Sequence, residues 1–508
     1  MRREAEGLIA FARGIKAEGF SHVVLLGMGG SSLGPEVFRQ TYGVARGYPE
    51  FRVLSSIHPA EIMRMERSVA LTRTLFIVAS KSGATLETQC LARYFLARVR
   101  AVIPRPRRPG TQFLALTNPG SPLAAFAKAH QFRKVFLTSP QIGGRYAALS
   151  FTGLVPAAFM GLDLDTLLDH AVDAAADHDD AVELGAVLGG LGTHGRDKVT
   201  FVLAPALASF GSWAEQLLAE STSKRQRGLI PVQGETLGAP RQYGRDRLFV
   251  SIEMNAAADT GAVARRHGLA ALERAGHPVI RIRLGDAFDL AGEFFRWEVA
   301  TAVAGTILKV NPFDEPDVAA SKVRTRRLLT AFRLSHRLPA RRPLLVDRGC
   351  RVYAPTDYSA RTLATLLPRF LGQARRTGAG RPYVAIMAYL DRSPRHEELL
   401  QRLRVVIRDR YRVATTLGYG PSLLHSTGQL HKGGPPTGLF LQITAPEYDH
   451  DDKNDLPVPG ERYSFSTLAR AGALGDYLAL ATRGRRVIEI QLGRTIAGGL
   501  RRCLDALA

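Results

Sequence analysis

Cysteine is scarce in this chain. Cys90, Cys350 and Cys503 are the only three in 508 residues, isolated from one another and never in CxxC spacing. That excludes a disulfide scaffold and a thiolate metal cluster, and it fits a reducing, cytoplasmic compartment. No apolar run approaches a membrane span. The charged opening residues Arg2, Arg3, Glu4 and Glu6 do not read as a secretory leader. Histidines are not paired at metal-ligand spacing, and the acidic run 447–455 matches no EF-hand, so it reads as a solvated loop without a metal. No GxxxxGK[ST] occurs, and Gly27-x-Gly29-Gly30 misses the dinucleotide fingerprint, which weighs against a nucleotide cofactor. The excess of positive charge, +22, comes mostly from scattered arginine without any nucleic-acid-binding signature. Attraction of anionic metabolites is the simpler reading, and nucleic acid is not an expected partner.

What the chain does have is a series of apolar runs alternating with helical patterns. The runs 23–26, 51–54, 75–79, 113–116 and 135–137 predict a parallel sheet covered on both faces. A second unit begins near Lys198, and RLPARRP at 337–343 reads as a linker to a third. The expected fold is therefore α/β, with boundaries at 1–195, 196–336 and 337–508. The third unit reads as a diverged repeat of the second. LFLQI at 439–443 parallels LFVSI at 248–252, and VIEIQLG at 487–493 parallels VIRIRLG at 279–285. On the same reading LLHSTG at 423–428 parallels LAESTS at 218–223, with His425 standing where the earlier motif has Glu220.

Two segments carry the chemistry most openly: GMGGSSLGP at 27–35 and SKSGATLET at 80–88. Each follows a strand-like run and opens into a helical pattern, where free backbone N–H groups and the helix dipole favour an anion. Ser80, Ser82 and Thr85 add hydroxyl donors, and Lys81 adds a full charge. A serine-rich turn that merely caps a helix is the bland alternative. With Lys81 present, a phosphate cradle is expected, and two such loops suit a sugar phosphate.

These segments, together with GGRYAALSFTGL at 143–154, AESTSKRQRGLIPV at 219–232 and VNPFDEPDVAASK at 310–322, resemble the phosphoglucose isomerase family. The C-terminal LLHSTGQLHKGGPPTGLFLQIT at 423–444 resembles the end of bifunctional transaldolase/glucose-6-phosphate isomerase proteins, without their transaldolase half. The resemblance implies two sugar-isomerase (SIS) type, doubly wound domains plus a third related α/β domain. It implies aldose–ketose isomerisation of glucose 6-phosphate through an enediolate, with no metal and no cofactor. Glu220 is then the base, Arg145 the cation facing the enediolate, and Lys322 a ring-opening group. Ser80, Lys81, Ser82 and Thr85 hold phosphate, Ser31 makes the adjacent contact, and Gly29 and Gly30 shape the first loop. A phosphosugar-binding protein with a weakened site is the alternative, as is a fragment working beside a separate transaldolase.

Relatives carry a ring-opening histidine after the base, often from a neighbouring subunit, yet 231–254 contains none here. His425 is the expected replacement, delivered in cis by the third unit; a histidine capping its own turn is the competing reading. His431 and Lys432 are secondary candidates. Two departures bear on activity. Ser223, with Arg225 and Arg227 beyond it, replaces the small residues usual after the base, and Glu315 stands where relatives often have glutamine. A carboxylate there repels phosphate unless Arg or Lys pairs with it. The expected assembly is a monomer or a homodimer.

Overall fold

The structure, a computed structural model, describes residues 2–104, 106–254, 259–375, 380–445 and 455–507. The acidic run 447–455 lies, apart from Asp455, outside them. The first sheet comprises β1 His22–Gly27, β2 Glu50–Leu54, β3 Thr74–Ala79, β4 Phe113–Thr117 and β5 Lys134–Leu137. All its pairings are parallel, in the order β2-β1-β3-β4-β5. All five apolar runs named above overlap these strands.

Those runs lack a polar face because both faces of the sheet are covered. Side chains alternate across a strand, and the alternation sorts β1 and β3 into two cores. Val24, Leu26, Phe76 and Val78 share one core with the C-terminal sheet; Val23, Leu25, Leu75 and Ile77 share the other with the middle sheet. The first sheet is thus the central layer.

The middle sheet holds β6 Lys198–Leu203, β7 Ile230–Val232, β8 Arg247–Met254 and β9 Val279–Leu284, parallel in the order β7-β6-β8-β9. The C-terminal sheet holds β10 Leu345–Asp347, β11 Cys350–Tyr353, β12 Tyr383–Tyr389, β13 Ala414–Tyr419, β14 Gly438–Thr444 and β15 Arg486–Gln491, in the order β10-β11-β15-β14-β12-β13. Its last four strands are parallel, and the β10–β11 hairpin adds antiparallel to β15. Arg348 and Gly349, with φ of 47° and 85°, form the two-residue turn such a hairpin requires.

Within each sheet the first four parallel strands take the same order, second-first-third-fourth. LFVSI and LFLQI fall on the third strands β8 and β14, and the VIRIRLG and VIEIQLG motifs on the fourth strands β9 and β15. The pairing of Glu220 with His425 as equivalent positions does not follow this topology. Glu220 ends the helix after the first strand of its sheet, whereas His425 follows the second strand of its own. The similarity of LAESTS and LLHSTG therefore joins unlike elements, a helix end and a short helical turn, that meet at one place.

That place is organised by helix Ala208–Thr222, in which every residue from Ser209 on is buried except Ser212. A helix covered all round shows no amphipathic stripe. It packs against helix Gly30–Tyr42, helix Asp289–Ile307 and helix Gly428–Gly433, and so touches all three parts of the chain.

The middle and C-terminal sheets are also joined by a buried polar network. Glu235 Oε2 accepts from Thr415 Oγ1 at 2.8 Å and from Arg247 Nη2 at 3.3 Å, while Arg404 Nη2 donates to the Thr415 carbonyl at 2.7 Å. Burial alone would push Glu235 up; Arg247 and Arg404 outweigh it and hold the carboxylate below its ordinary range. Glu235→Ala would strand both guanidiniums, with an expected loss of roughly 3–5 kcal/mol. An unchanged urea midpoint in this variant would contradict the assignment.

Candidate functional site

Four pieces of chain converge at the C-terminal end of helix Ala208–Thr222. Glu220 stands in its last turn, 7% exposed. The helix dipole is negative at that end and does nothing to favour a carboxylate. Its Oε2 accepts from Arg145 Nη1 at 3.2 Å and from Gln216 Nε2 at 3.4 Å. Burial pushes Glu220 up to about 7, Arg145 working against the rise and Glu315 adding to it. The carboxyl is thereby set to exchange a proton near neutrality, which proton-transfer chemistry requires.

Arg145, 2% exposed, is fixed on every nitrogen. Nε donates to Ser221 Oγ at 2.7 Å, and Nη2 donates to the carbonyls of Pro312 at 2.8 Å and Asp314 at 3.0 Å. Nη1 also donates to Glu315 Oε2 at 2.8 Å. The departure at Glu315 thus has its cationic partner, and the repulsion foreseen for an unpaired carboxylate does not arise in that form.

Lys224 was not singled out in the sequence, yet it ties the same loop down. Its Nζ donates to the Ser221 carbonyl at 2.8 Å and to the Asn311 carbonyl, and lies 3.2 Å from Asp314 Oδ1. Burial and the neighbouring Arg145 bring it down to about 8.

The two glycine-bearing loops differ in use. Gly29 has φ of +54°, and a Cβ there would lie 2.3 Å from the His425 carbonyl oxygen. A Cβ on Gly30 would lie 2.2 Å from the Gly144 carbonyl oxygen. These glycines let the His425 and Arg145 segments come close, a role in packing that the phosphate-cradle reading of this loop left out. Ser31 follows them, half-buried, in the first turn of helix Gly30–Tyr42.

The Ser80–Thr85 segment forms a turn closed by its own hydrogen bonds. The Gly83 amide donates to the Ser80 carbonyl at 3.0 Å, Ser80 Oγ donates to Thr85 Oγ1 at 3.1 Å, and Ser82 is exposed. Thr85 is the N-cap residue of helix Leu86–Val102. Lys81 is brought below its ordinary value by burial; Glu315 opposes that shift and Arg145 reinforces it, so the turn lies within the field of the Arg145 cluster.

His425 comes from the C-terminal sheet. Its backbone carbonyl accepts from Gln216 Nε2 at 2.7 Å, and its Nε2 lies 3.4 Å from Glu87 Oε1. The ring is directed at Glu87 on helix Leu86–Val102, not back at its own turn. Burial opposes charge on Glu87, but His425 and Lys322 outweigh it and hold that carboxyl below its ordinary range. Lys322, in the first turn of helix Ala319–Ser335, acts on Glu220 as well. Ser82, Thr85, Glu87, Lys322 and His425 line a pocket of about 100 Å³. Glu87 and Gln216 are the contributions that sequence reasoning missed: nothing near Glu87 in the sequence points to His425, and Gln216, one helical turn before the base, carries no signal of its own.

The secondary candidates are placed elsewhere. His431 is 2% exposed, packed edge-on to Phe440, and burial drives it well below its ordinary value. Lys432 is locked to buried Asp476 at 2.6 Å. Both serve the interior of the C-terminal part.

Sheet order and site together define an α/β protein of parallel sheets, with a buried carboxylate–guanidinium pair beside a hydroxyl-rich turn. Residues 8–183 match the family model described as phosphoglucose isomerase. It is 29% identical to a glucose-6-phosphate isomerase of Rubrobacter xylanophilus over 374 residues, covering 63% of this chain and 85% of that protein. Similarity to the enzyme of the same name from Thermus thermophilus is also 29%, covering 60% and 83%. A solved hypothetical protein from that organism superposes with a TM-score of 0.57 at 26% identity, over 64% of this chain and 88% of that one. A glucose-6-phosphate isomerase structure from Chlamydia trachomatis shares the fold with a TM-score of 0.52 at 20% identity, over 65% and 74%.

Because Glu315 raises Glu220 electrostatically, Glu315→Gln should move the Glu220 titration to lower pH. Carboxyl-carbon NMR of glutamate-labelled protein reads this directly; an unchanged midpoint would remove Glu315 from the electrostatics of the site.

Proposed function

We propose that the chain interconverts glucose 6-phosphate and fructose 6-phosphate as an aldose–ketose isomerase. The observation that carries the reading is Glu220, a carboxyl raised to about 7 by burial and held against an immobile arginine. Its relatives bear the name of this activity.

On this reading the Ser80–Thr85 turn, with Lys81 and Ser31, holds the phosphate of the sugar. His425, backed by Glu87, and Lys322 exchange protons with the ring oxygen and the C1 hydroxyl to open the ring. Glu220 then takes the proton from C2 and returns it to C1. As the proton leaves, negative charge spreads over the C1–C2 enediolate oxygens, and the fixed Arg145 guanidinium is there to meet it. A donor already in place costs no reorganisation when the charge appears. A base near pH 7 both accepts and gives up the proton, which a reversible isomerisation demands.

The C-terminal part, 337–508, is on this reading a diverged repeat of the middle one that supplies His425 to its own chain. A monomer is then complete at this cluster; a homodimer or a separate transaldolase partner would add nothing to it. Among the described residues no helix is long and apolar enough to cross a membrane, and we place the enzyme in the cytoplasm.

Glu220→Gln should lower kcat by roughly 10²–10⁴-fold, the span for loss of a positioned base, while 6-phosphogluconate still binds. Retained turnover would end the proposal. In the wild type kcat/KM should fall as pH drops below about 7, since Glu220 becomes protonated there. His425→Ala should impair the cyclic sugar far more than an open-chain analogue; equal activity on both would remove His425 from ring opening.

A further inference from the structure

A second cavity, of about 520 Å³, opens where the three parts of the chain meet. Its walls come from helix Gly30–Tyr42, helix Ala208–Thr222 and the end of β13, and it shares no side chain with the pocket around Glu87 and His425. The size suits a small-molecule site. Its charge is opposite to that of the phosphate turn: Glu36, Glu61, Glu215 and Glu397 line it, against Arg392 alone. A phosphorylated ligand is therefore repelled.

Three of those carboxylates are engaged. Glu36 takes Arg39, Glu61 takes the Arg392 amide at 3.0 Å, and Glu397 takes the Tyr419 hydroxyl at 2.7 Å. Glu215 is different. It is 7% exposed, lines the cavity, and among the described residues has no hydrogen-bond or ion-pair partner. Beside it on the same helix, the Ser209 hydroxyl is buried and equally unpartnered. A buried carboxyl left without a donor is costly; burial pushes this one up to about 8, Arg404 relieving it only in part. Serine hydroxyls from all three parts of the chain line the rest of the wall. Such a lining asks for one positive charge and several hydroxyls.

We propose that this cleft binds a hydroxylated primary amine of hexosamine size, its ammonium on Glu215 and its hydroxyls on the serines and Glu397. The inference stands independently of the isomerase reading, because binding is measured whether or not the chain turns over.

The test is calorimetric titration of the full chain with D-glucosamine, D-glucose and glucose 6-phosphate at pH 7. Glucosamine should bind saturably, with glucose at least about 10-fold weaker, the scale of one lost charged hydrogen bond. Glu215→Gln should weaken glucosamine by roughly 10–100-fold on the same scale. Its thermal midpoint should match or exceed the wild type, because a buried carboxyl without a partner is replaced by a neutral amide of the same shape. Ser209→Ala, a smaller change, should weaken binding a few-fold. Absence of saturable glucosamine binding to the wild type, equal affinity in Glu215→Gln, or displacement by 6-phosphogluconate would each overturn the proposal.

Discussion

The contact between Arg145 and Glu220 is the constraint on which the site is built. Removing both charges from water is expensive, and attraction across 3.2 Å offsets that only when the remaining donors are satisfied. Arg145 meets the condition through Ser221, Pro312, Asp314 and Glu315. Glu220 does not, since among the described residues its only other donor is Gln216 at 3.4 Å. The imbalance is what makes the pair chemically useful. The guanidinium is immobile and always charged, while the carboxyl is left near its point of half-protonation.

That pair in turn explains the surroundings. The guanidinium can be held only if the short helical turn Gly144–Tyr146, the loop 311–315 and the end of helix Ala208–Thr222 meet at one point. Gly30 allows the first meeting and Lys224 pins the second. The C-terminal part enters through the same helix: Gln216 binds Glu220 on one side and the His425 carbonyl on the other. One glutamine side chain therefore fixes the distance between two groups that come from different sheets.

Much of this was legible in the sequence wherever the signal was local. The apolar runs of β1 and β3, the serine-rich turn and the Glu220 motif are each encoded within a few consecutive residues. What was lost is what only packing produces. Glu87 reads as part of its own loop because nothing near it in sequence announces a histidine from residue 425. The all-round burial of helix Ala208–Thr222 erases the amphipathic stripe that would have marked it as a shared core element. The match of LAESTS to LLHSTG sets a helix end against a short helical turn, whereas the LFVSI/LFLQI and VIRIRLG/VIEIQLG pairs fall at like places in the strand orders of their sheets. Gly29 and Gly30 read in the sequence as shaping an anion-binding loop, whereas in the structure their nearest neighbours are His425 and Gly144.

The same helix separates two electrostatic environments. Toward its end, Glu220 lies in the field of Arg145 and Lys322, with Glu315 opposing them. One turn and a half earlier, Glu215 faces a cavity in which carboxylates outnumber the single lining arginine. Both glutamates are raised by burial, yet only Glu220 has a cation at hydrogen-bonding distance. A net charge of +22 draws anions to the molecule as a whole. Discrimination must then come from local sign, and a dianionic phosphate is disfavoured where Glu36, Glu61, Glu215 and Glu397 line the cavity.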